Sequence, residues 1–318
     1  MNEFKDKKIL IVGGTGQIGS FLAEELIEKG AEIYILGRNI KKEYFQGTKI
    51  YDFGNFIKFD LINDDFENLR NKIGDIDYLV HSFSDISHES NDLFHDAYNS
   101  INVNLKTLPS LLMGFKSIKG ICFLSSIAVY GKTPSEPIDE NYLPNPISFY
   151  GCGKLGAEKF LQNYCNYSDI PLTILRISQV FGPRNCSNQV IPTFIKKSLK
   201  NEPINVIENI CKDFIYVTDV VDAIIASILK NKNEVFNIGT GNNIRIKEIA
   251  EIILKLTRSK KEIHLNKKEK EFDSIIKINK AQRELGFSPK MSIEKGLNEE
   301  IKWHIKYNNN DNFKKFGE

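Results

Sequence analysis

The 318-residue sequence predicts an α/β fold, a doubly wound parallel sheet with a smaller C-terminal α/β lobe interleaved with it. Three observations predict this. Short apolar, β-branched runs alternate with helical patterns from Lys8 to about Ile177; the first run empties into a glycine-rich turn that opens a helix; and after Ile177 the prolines 183, 192 and 203 punctuate shorter elements. Hydrophobic residues at 41%, charged residues at 26% and aromatics at 11% suffice to fill such a core, which excludes disordered and collagen-like classes.

Taken in order, the strand-like runs are Ile9 to Val12, Glu32 to Leu36, Phe56 to Phe59, Tyr78 to His81, Gly120 to Leu124 and Leu172 to Ile177. Between them, Gln17 to Lys29, Phe66 to Lys72, Asp96 to Phe115 and Gly151 to Tyr164 carry apolar residues at three-to-four spacing, the period of a helix with one buried face. A later run, Val235 to Ile238, is expected to return to the main sheet ahead of Gly239 and Gly241. The expected division is therefore 1–178 plus about 213–240 for the sheet domain, 179–212 and 241–310 for the second lobe, and 311–318 for a polar tail. There is no internal repeat.

The 43 basic and 41 acidic residues are interspersed and leave a net charge of +2, so there is no single-sign field to hold nucleic acid or a membrane surface. Five cysteines, at 122, 152, 165, 186 and 211, are odd in number, widely spaced and without a C-x-x-C pair, as expected in a reducing compartment. The apolar run Ile9 to Val12 stops at Gly13, too short for a signal peptide or a spanning helix. A cytoplasmic location is the expectation.

The first strand runs into Gly13-Gly14-Thr15-Gly16-Gln17-Ile18-Gly19 and then an amphipathic helix. At a first strand-to-helix junction this pattern points to a Rossmann-type dinucleotide site: Gly13 turns the chain, Gly16 lets the backbone approach a pyrophosphate, and Gly19 packs helix on strand. Strand two ends at Arg38, where NAD-selective folds place an acidic residue. Arg38, with Lys41 and Lys42 behind it, suits the 2′-phosphate of NADP; NAD is the alternative, with Arg38 then an ordinary surface residue. Asp60 and Leu61, directly after the third strand, are placed to meet the adenine, although an aspartate there also suits a turn.

The fifth strand empties into Ser125-Ser126-Ile127-Ala128-Val129-Tyr130-Gly131, and a later helix opens with Tyr150-Gly151-Cys152-Gly153-Lys154. Tyr150 and Lys154, four apart, share a helix face. An ammonium beside a phenol favours the phenolate, so Tyr150 becomes a usable base, Ser126 can hydrogen-bond the same substrate oxygen, and Lys154 can also hold a cofactor ribose. Alone, Y-x-x-x-K is a common helical pair. Here it follows the glycine loop and the strand-end serine in the order the chemistry needs.

These stretches resemble the extended short-chain dehydrogenases/reductases, the NAD-dependent epimerase/dehydratase family, over nearly the whole chain. Besides the glycine loop and the two catalytic stretches, the similarity runs through Asp77 to His81, Asn102, Leu175-Arg176 to Gly182-Pro183-Arg184, Lys212 to Val220, Phe236 to Gly241 and Ala281 to Pro289. The resemblance implies cofactor contacts at Gly13, Gly16, Gln17, Ile18, Gly19, Ser82, Asn102, Tyr150 and Lys154. It implies substrate contacts at Ser126, Gln179, Arg184 and Lys212, a nucleotide-sugar substrate, and a homodimer built from the helices Asp96 to Phe115 and Gly151 to Tyr164. Such enzymes often serve polysaccharide biosynthesis.

The family's sugar 4,6-dehydratases carry an acid pair directly after the catalytic serine or threonine, and its decarboxylating members need a glutamate there. Ile127 and Ala128 cannot move a proton, so both reactions are disfavoured. Two remain: epimerisation by oxidation and re-reduction at C4 of a nucleoside-diphosphate hexose, and reduction of a 4-keto sugar nucleotide by NADPH. A non-catalytic NADP(H) sensor or partner-binding protein is the rival from another class, and it has no need of Ser126, Tyr150 and Lys154 together. Gln179 stands where asparagine is usual, Lys212 where arginine is usual, and between Leu265 and Asp273 the cations are Lys267, Lys268 and Lys270. These departures put the usual UDP-sugar grip in question and fit another nucleotide or a smaller substrate.

His88 and His95 read as loop and helix surface rather than metal ligands, and no metal site is expected. Cys152 reads as a small helix residue, not a nucleophile, and Trp303, between Ile301 and Ile305, as packing.

Overall fold

A computed structural model describes residues 3–39, 50, 55–83, 93–115, 117–133, 137–185, 187–267 and 275–308. The first half contains β1 (Lys8–Val12), α1 (Gln17–Glu28), β2 (Glu32–Gly37), β3 (Asn55–Lys58), α2 (Phe66–Ile73), β4 (Tyr78–His81) and α3 (Leu93–Ile101). A π-helical turn (Asn102–Lys106), α4 (Thr107–Gly114), β5 (Gly120–Ser126), a 3₁₀ turn (Ile127–Tyr130), α5 (Phe149–Ser168) and β6 (Leu172–Ile177) follow. The second half contains β7 (Gln179–Phe181), α6 (Val190–Leu199), β8 (Ile204–Ile207), β9 (Cys211–Lys212), β10 (Phe214–Tyr216), α7 (Val217–Lys230) and β11 (Glu234–Ile238). It ends with β12 (Ile244–Arg245), α8 (Ile246–Thr257), β13 (Ile263–Asn266), α9 (Asn279–Leu285) and α10 (Ile293–Asn308).

Seven strands form one parallel sheet in the order β11-β6-β5-β4-β1-β2-β3. Helices cover both faces, which is why β1 and β6 read as continuous apolar runs rather than alternating ones. One core cluster packs α1, α7 and α9 on one face through residues such as Leu22, Ile224 and Leu285. A second packs α2, α4 and α5 on the other through Leu69, Leu111 and Leu161. As the sequence predicts for Val235 to Ile238, the chain returns to this sheet, as β11 beside β6. The chain leaves β1 toward β2 on one side and reaches β4 on the other, so a crevice opens at the carboxyl ends of β1 and β4, where doubly wound sheets bind ligands.

The second lobe holds three short pairs, β7 with β10, β9 with β12 and β8 with β13, around a third core cluster of Phe194, Ile195, Val206, Ile249, Ile253 and Leu297. Trp303 packs partly buried against the first core cluster. Residues 309–318, and with them the whole predicted tail, lie outside the described residues, as do Lys41, Lys42, His88, Cys186, Lys268 and Lys270.

Two predicted helices differ from expectation. The expected continuous helix from Asp96 to Phe115 is α3, the π-helical turn and α4, ending at Gly114. Pro109 cannot donate to the carbonyl four residues back, and its ring crowds that carbonyl, so the widened turn ahead of it relieves the conflict. Asn104 reinforces the widening by donating its side-chain amide to Ser100 O at 2.9 Å. In contrast, α5 extends beyond the predicted Gly151 to Tyr164, because Ser148 caps its start, accepting from Gly151 N at 3.1 Å, and Asp169 turns left-handed at its end.

Candidate active site

A cavity of about 540 Å³ opens at the crevice, lined from β1 and α1 by Gly13, Gly16, Gln17, Ile18 and Gly19. Ser82, Ser126, Tyr150, Lys154, Gln179 and Arg184 complete the predicted residues along its wall. Gly13 has φ 83°, and a β-carbon there would meet the Phe83 backbone nitrogen at 2.7 Å. At Gly19 a β-carbon would lie 2.4 Å from Gly13 O, so the helix can sit on the loop only with glycine at that position. The start of α1 carries no side-chain cap and no acidic residue in its first turn. Its first amide groups and partial positive charge therefore face the cavity, which fits a pyrophosphate.

Four of the other predicted cofactor residues are not among those that line this cavity. Arg38 is exposed beyond β2. The Asp60 carboxylate accepts from Ile62 N at 2.9 Å and Asn63 Nδ2 at 3.2 Å, bonds that hold it below its usual carboxylate range, so it braces the turn after β3. Leu61 packs against the second core cluster, and Asn102 is buried in the π-helical turn, outside the cavity wall. Ser82 lines the cavity, but its hydroxyl donates to Val12 O at 2.8 Å.

The catalytic candidates converge on one end of the cavity. Ser126 ends β5 and caps the 3₁₀ turn, accepting from Ala128 N at 3.1 Å. On α5, Tyr150 and Lys154 stand one turn apart on the cavity wall. The glycines between them allow the approach: a β-carbon at Gly151 would lie 2.6 Å from Ala128 O, and one at Gly153 would lie 2.2 Å from Ser100 Oγ. Lys154 is 1% exposed and donates to Leu124 O at 2.9 Å and Phe83 O at 3.3 Å. Burial pushes its ammonium down to about 7, against the pull of Glu158. Cys152, between the pair, is exposed on the opposite side of the helix.

On the lobe side a second cavity of about 280 Å³ shares Gln179, Val180 and Gln189 with the first and is lined further in by Phe194, Asn205, Val206 and Lys212. The Arg184 guanidinium is committed to α1: it pairs with Glu24 at 2.7 Å, donates to Ser20 Oγ at 3.2 Å and lies 4.2 Å over the Phe21 ring. Its motif predicts a substrate contact; its position makes it a brace between the loop after β7 and the cofactor helix. Lys267 is exposed at the end of β13. Among the described residues no group of three or more His, Cys, Asp or Glu could hold a metal.

Residues 9–239 match the model of the NAD dependent epimerase/dehydratase family. The chain belongs to this family. A putative UDP-glucose 4-epimerase from Methanocaldococcus jannaschii is 34% identical over 312 residues, covering 95% of this chain and 99% of the relative. Among solved structures, the UDP-N-acetylglucosamine 4-epimerase from Methanobrevibacter ruminantium, in complex with UDP-N-acetylmuramic acid, is 27% identical with a TM-score of 0.85 over 95% of this chain and 99% of that one. The UDP-glucuronic acid 4-epimerase from Bacillus cereus, bound to UDP-glucuronic acid and NAD, is 26% identical with a TM-score of 0.84 over 94% and 99%. This epimerase/dehydratase chain is thus an enzyme of the extended short-chain dehydrogenase/reductase type.

Three features of this epimerase/dehydratase site escape sequence reasoning. Asn104, not Asn102, is the asparagine wholly buried against α5, with its amide 3.0 Å from where a Gly153 β-carbon would stand. Two asparagines two apart gave the only hint, and the helical period alone could not choose between them. Asn185, Ser187 and Gln189, polar residues of a loop without periodicity, rim the cavity. Asp213 is buried at the root of the lobe, where its carboxylate accepts from Thr240 N at 2.9 Å and Gly241 N at 2.8 Å.

Proposed function

We propose that the protein is a nucleotide-sugar 4-epimerase that oxidises C4 of a nucleoside-diphosphate hexose and reduces it again from the other face. The observation that carries this reading is the composition of the joined cavities. Ser126, Tyr150 and Lys154 stand in the wall of the first, and among the described lining residues of both there is no carboxylate, imidazole or thiol. A dehydratase or decarboxylase needs a further proton-transfer group beside the sugar. The position after Ser126 offers instead Ile127, packed in the core, and Ala128.

In this reading the nucleotide end of the substrate lies in the second cavity, its base against Phe194 and its diphosphate toward Lys212, and the sugar reaches past Gln179 to Tyr150. Tyr150 takes the C4 hydroxyl proton on oxidation and returns it on reduction. Ser126 holds the same oxygen, and Lys154 supplies the positive charge that favours the phenolate. When bound, a nicotinamide dinucleotide supplies the acceptor and donor for the hydride. The glycine loop and the α1 N-terminus would hold its pyrophosphate.

A second reading, reduction of a 4-keto sugar nucleotide, rests on Arg38, whose guanidinium at the end of β2 favours NADP(H) over NAD(H). The two are separated by a panel of UDP-hexoses and by cofactor titration. Epimerisation of one sugar without added reductant supports the first reading. Turnover only of 4-keto sugars, with NADPH bound much more tightly than NADH and that preference lost in Arg38→Ala, supports the second.

A homodimer is part of the proposal. On α3, Phe94 is 87% exposed, Tyr98 64% and Ile101 56%, at spacings that place them on one face beside the exposed Phe149 at the start of α5. A second copy is the expected cover. Among the described residues no helix is long and apolar enough to cross a membrane.

A further inference from the structure

The helix that carries Tyr150 and Lys154 carries a third ionisable group on the same side: Glu158, one turn beyond Lys154 and wholly buried. A carboxylate without water is costly unless its lone pairs are used. Here they are used: Arg176 clasps it from β6 through Nε at 3.1 Å and Nη2 at 2.7 Å, and Ser125 Oγ donates to it at 2.5 Å. The other end of Arg176 donates to the Tyr130 hydroxyl at 3.0 Å, and that hydroxyl donates to Asn237 Oδ1 at 2.6 Å. One buried network therefore joins the strand of the catalytic serine, the 3₁₀ turn, the catalytic helix, β6 and β11.

Lys154 lacks such a clasp. Its ammonium has two neutral carbonyl acceptors and the Phe123 ring at 4.9 Å, and among the described residues no carboxylate is at ion-pair distance. The groups facing it from each side are Tyr150 on its own helix, His81 from β4 and Phe123 from β5, with Arg176 of β6 on the far side of Glu158. His81 is buried and neutral, pushed down to about 3 by burial and by Lys154 itself. The countercharge that supports the ammonium is Glu158.

We propose that Glu158 is a positioning residue for the hydride-transfer site: held by Arg176 and Ser125, its buried carboxylate keeps Lys154 charged beside Tyr150 and fixes the serine strand against the catalytic helix. This rests on the reading that Tyr150 and Lys154 carry the proton transfer; Glu158 itself is not among the residues that line either cavity.

The test is Glu158→Gln, which keeps the shape and removes the charge. With lysine side-chain nitrogens labelled and the Lys154 resonance assigned by its loss in Lys154→Met, the expected result is that Lys154 gives up its proton at least about one pH unit lower than in the wild type. On the nucleotide-sugar substrate, kcat falls about tenfold or more near pH 8, both KM values stay within about twofold, and the alkaline limb of the rate profile moves to lower pH. Should the unpaired Arg176 unfold the single variant, Glu158→Gln combined with Arg176→Gln removes both charges, and the alkaline limb still moves down, by less. An unmoved Lys154 titration, or a loss that appears only in KM, overturns the proposal. The resonance needs no substrate, so a failure to find the sugar leaves this test standing.

Discussion

Gln17, in the glycine loop, donates its side-chain amide across the crevice to Gly182 O at 2.7 Å and Pro183 O at 3.2 Å. Gly182 is held through its amide by Glu300 of α10, which accepts from Gly182 N at 2.7 Å. The cofactor loop and the lobe are thus fastened through one residue, Gly182. Gln17→Ala is expected to cost about 1 kcal/mol in stability, the net worth of such a bond. It should also raise KM for both cofactor and sugar, because the clasp sets the wall that the two cavities share. Thermal melts and steady-state kinetics check this; an effect on cofactor alone would mean that the clasp does not reach the lobe.

Arg184 gives a sharper contrast between motif and position. Its pair with Glu24 is only 10% and 22% exposed, between the surface and the buried regimes. Arg184→Ala is expected to lose about 1–3 kcal/mol of stability with little change in substrate KM. A large rise in KM at unchanged melting temperature would restore the substrate contact that its motif suggests.

The α10 carboxyl that accepts from Gly182 N makes stability depend on pH. Burial pushes the Glu300 carboxyl up from 4.5 to about 8. The folded protein then keeps a proton that the unfolded chain releases, so this group's contribution is full below about pH 4.5 and is lost as pH rises toward about 8. His304, one turn on, is pushed down by burial from 6.5 to about 4, and its contribution runs the other way, lost as pH falls through that window. Glu300→Gln, which mimics the protonated form, should raise stability at pH 8 by about 1–3 kcal/mol and converge with the wild type toward pH 5. Denaturant melts at both pH values decide it, and equal stabilities at pH 8 would show that the carboxyl is not held protonated.

The sequence made the sheet legible because its signals are local. Alternating runs mark β1 to β6, glycines mark the turn after β1, and Tyr150 and Lys154 mark their helix face by their spacing. Val235 to Ile238 is also readable, since a short apolar run before two glycines has few places to go. What stayed hidden depends on partners distant in sequence. Nothing near Arg184 shows that Glu24 will claim it, nothing near Glu158 points to Arg176, and Glu300 reads as one more charge on an amphipathic helix. The π-helical turn is not legible because Pro109 sits in a pattern that is otherwise helical, and only the packing of Asn104 against α5 reveals how the conflict resolves.

The most direct test of the hydride-transfer reading follows deuterium at C4. Purified protein is incubated with a UDP-hexose deuterated at C4, without added reductant, beside Tyr150→Phe. The expected result is the C4 epimer with deuterium still at C4, formed about 100- to 10,000-fold more slowly by the variant. An epimer that has lost its deuterium, a product short of one water, or equal rates for wild type and Tyr150→Phe would contradict it.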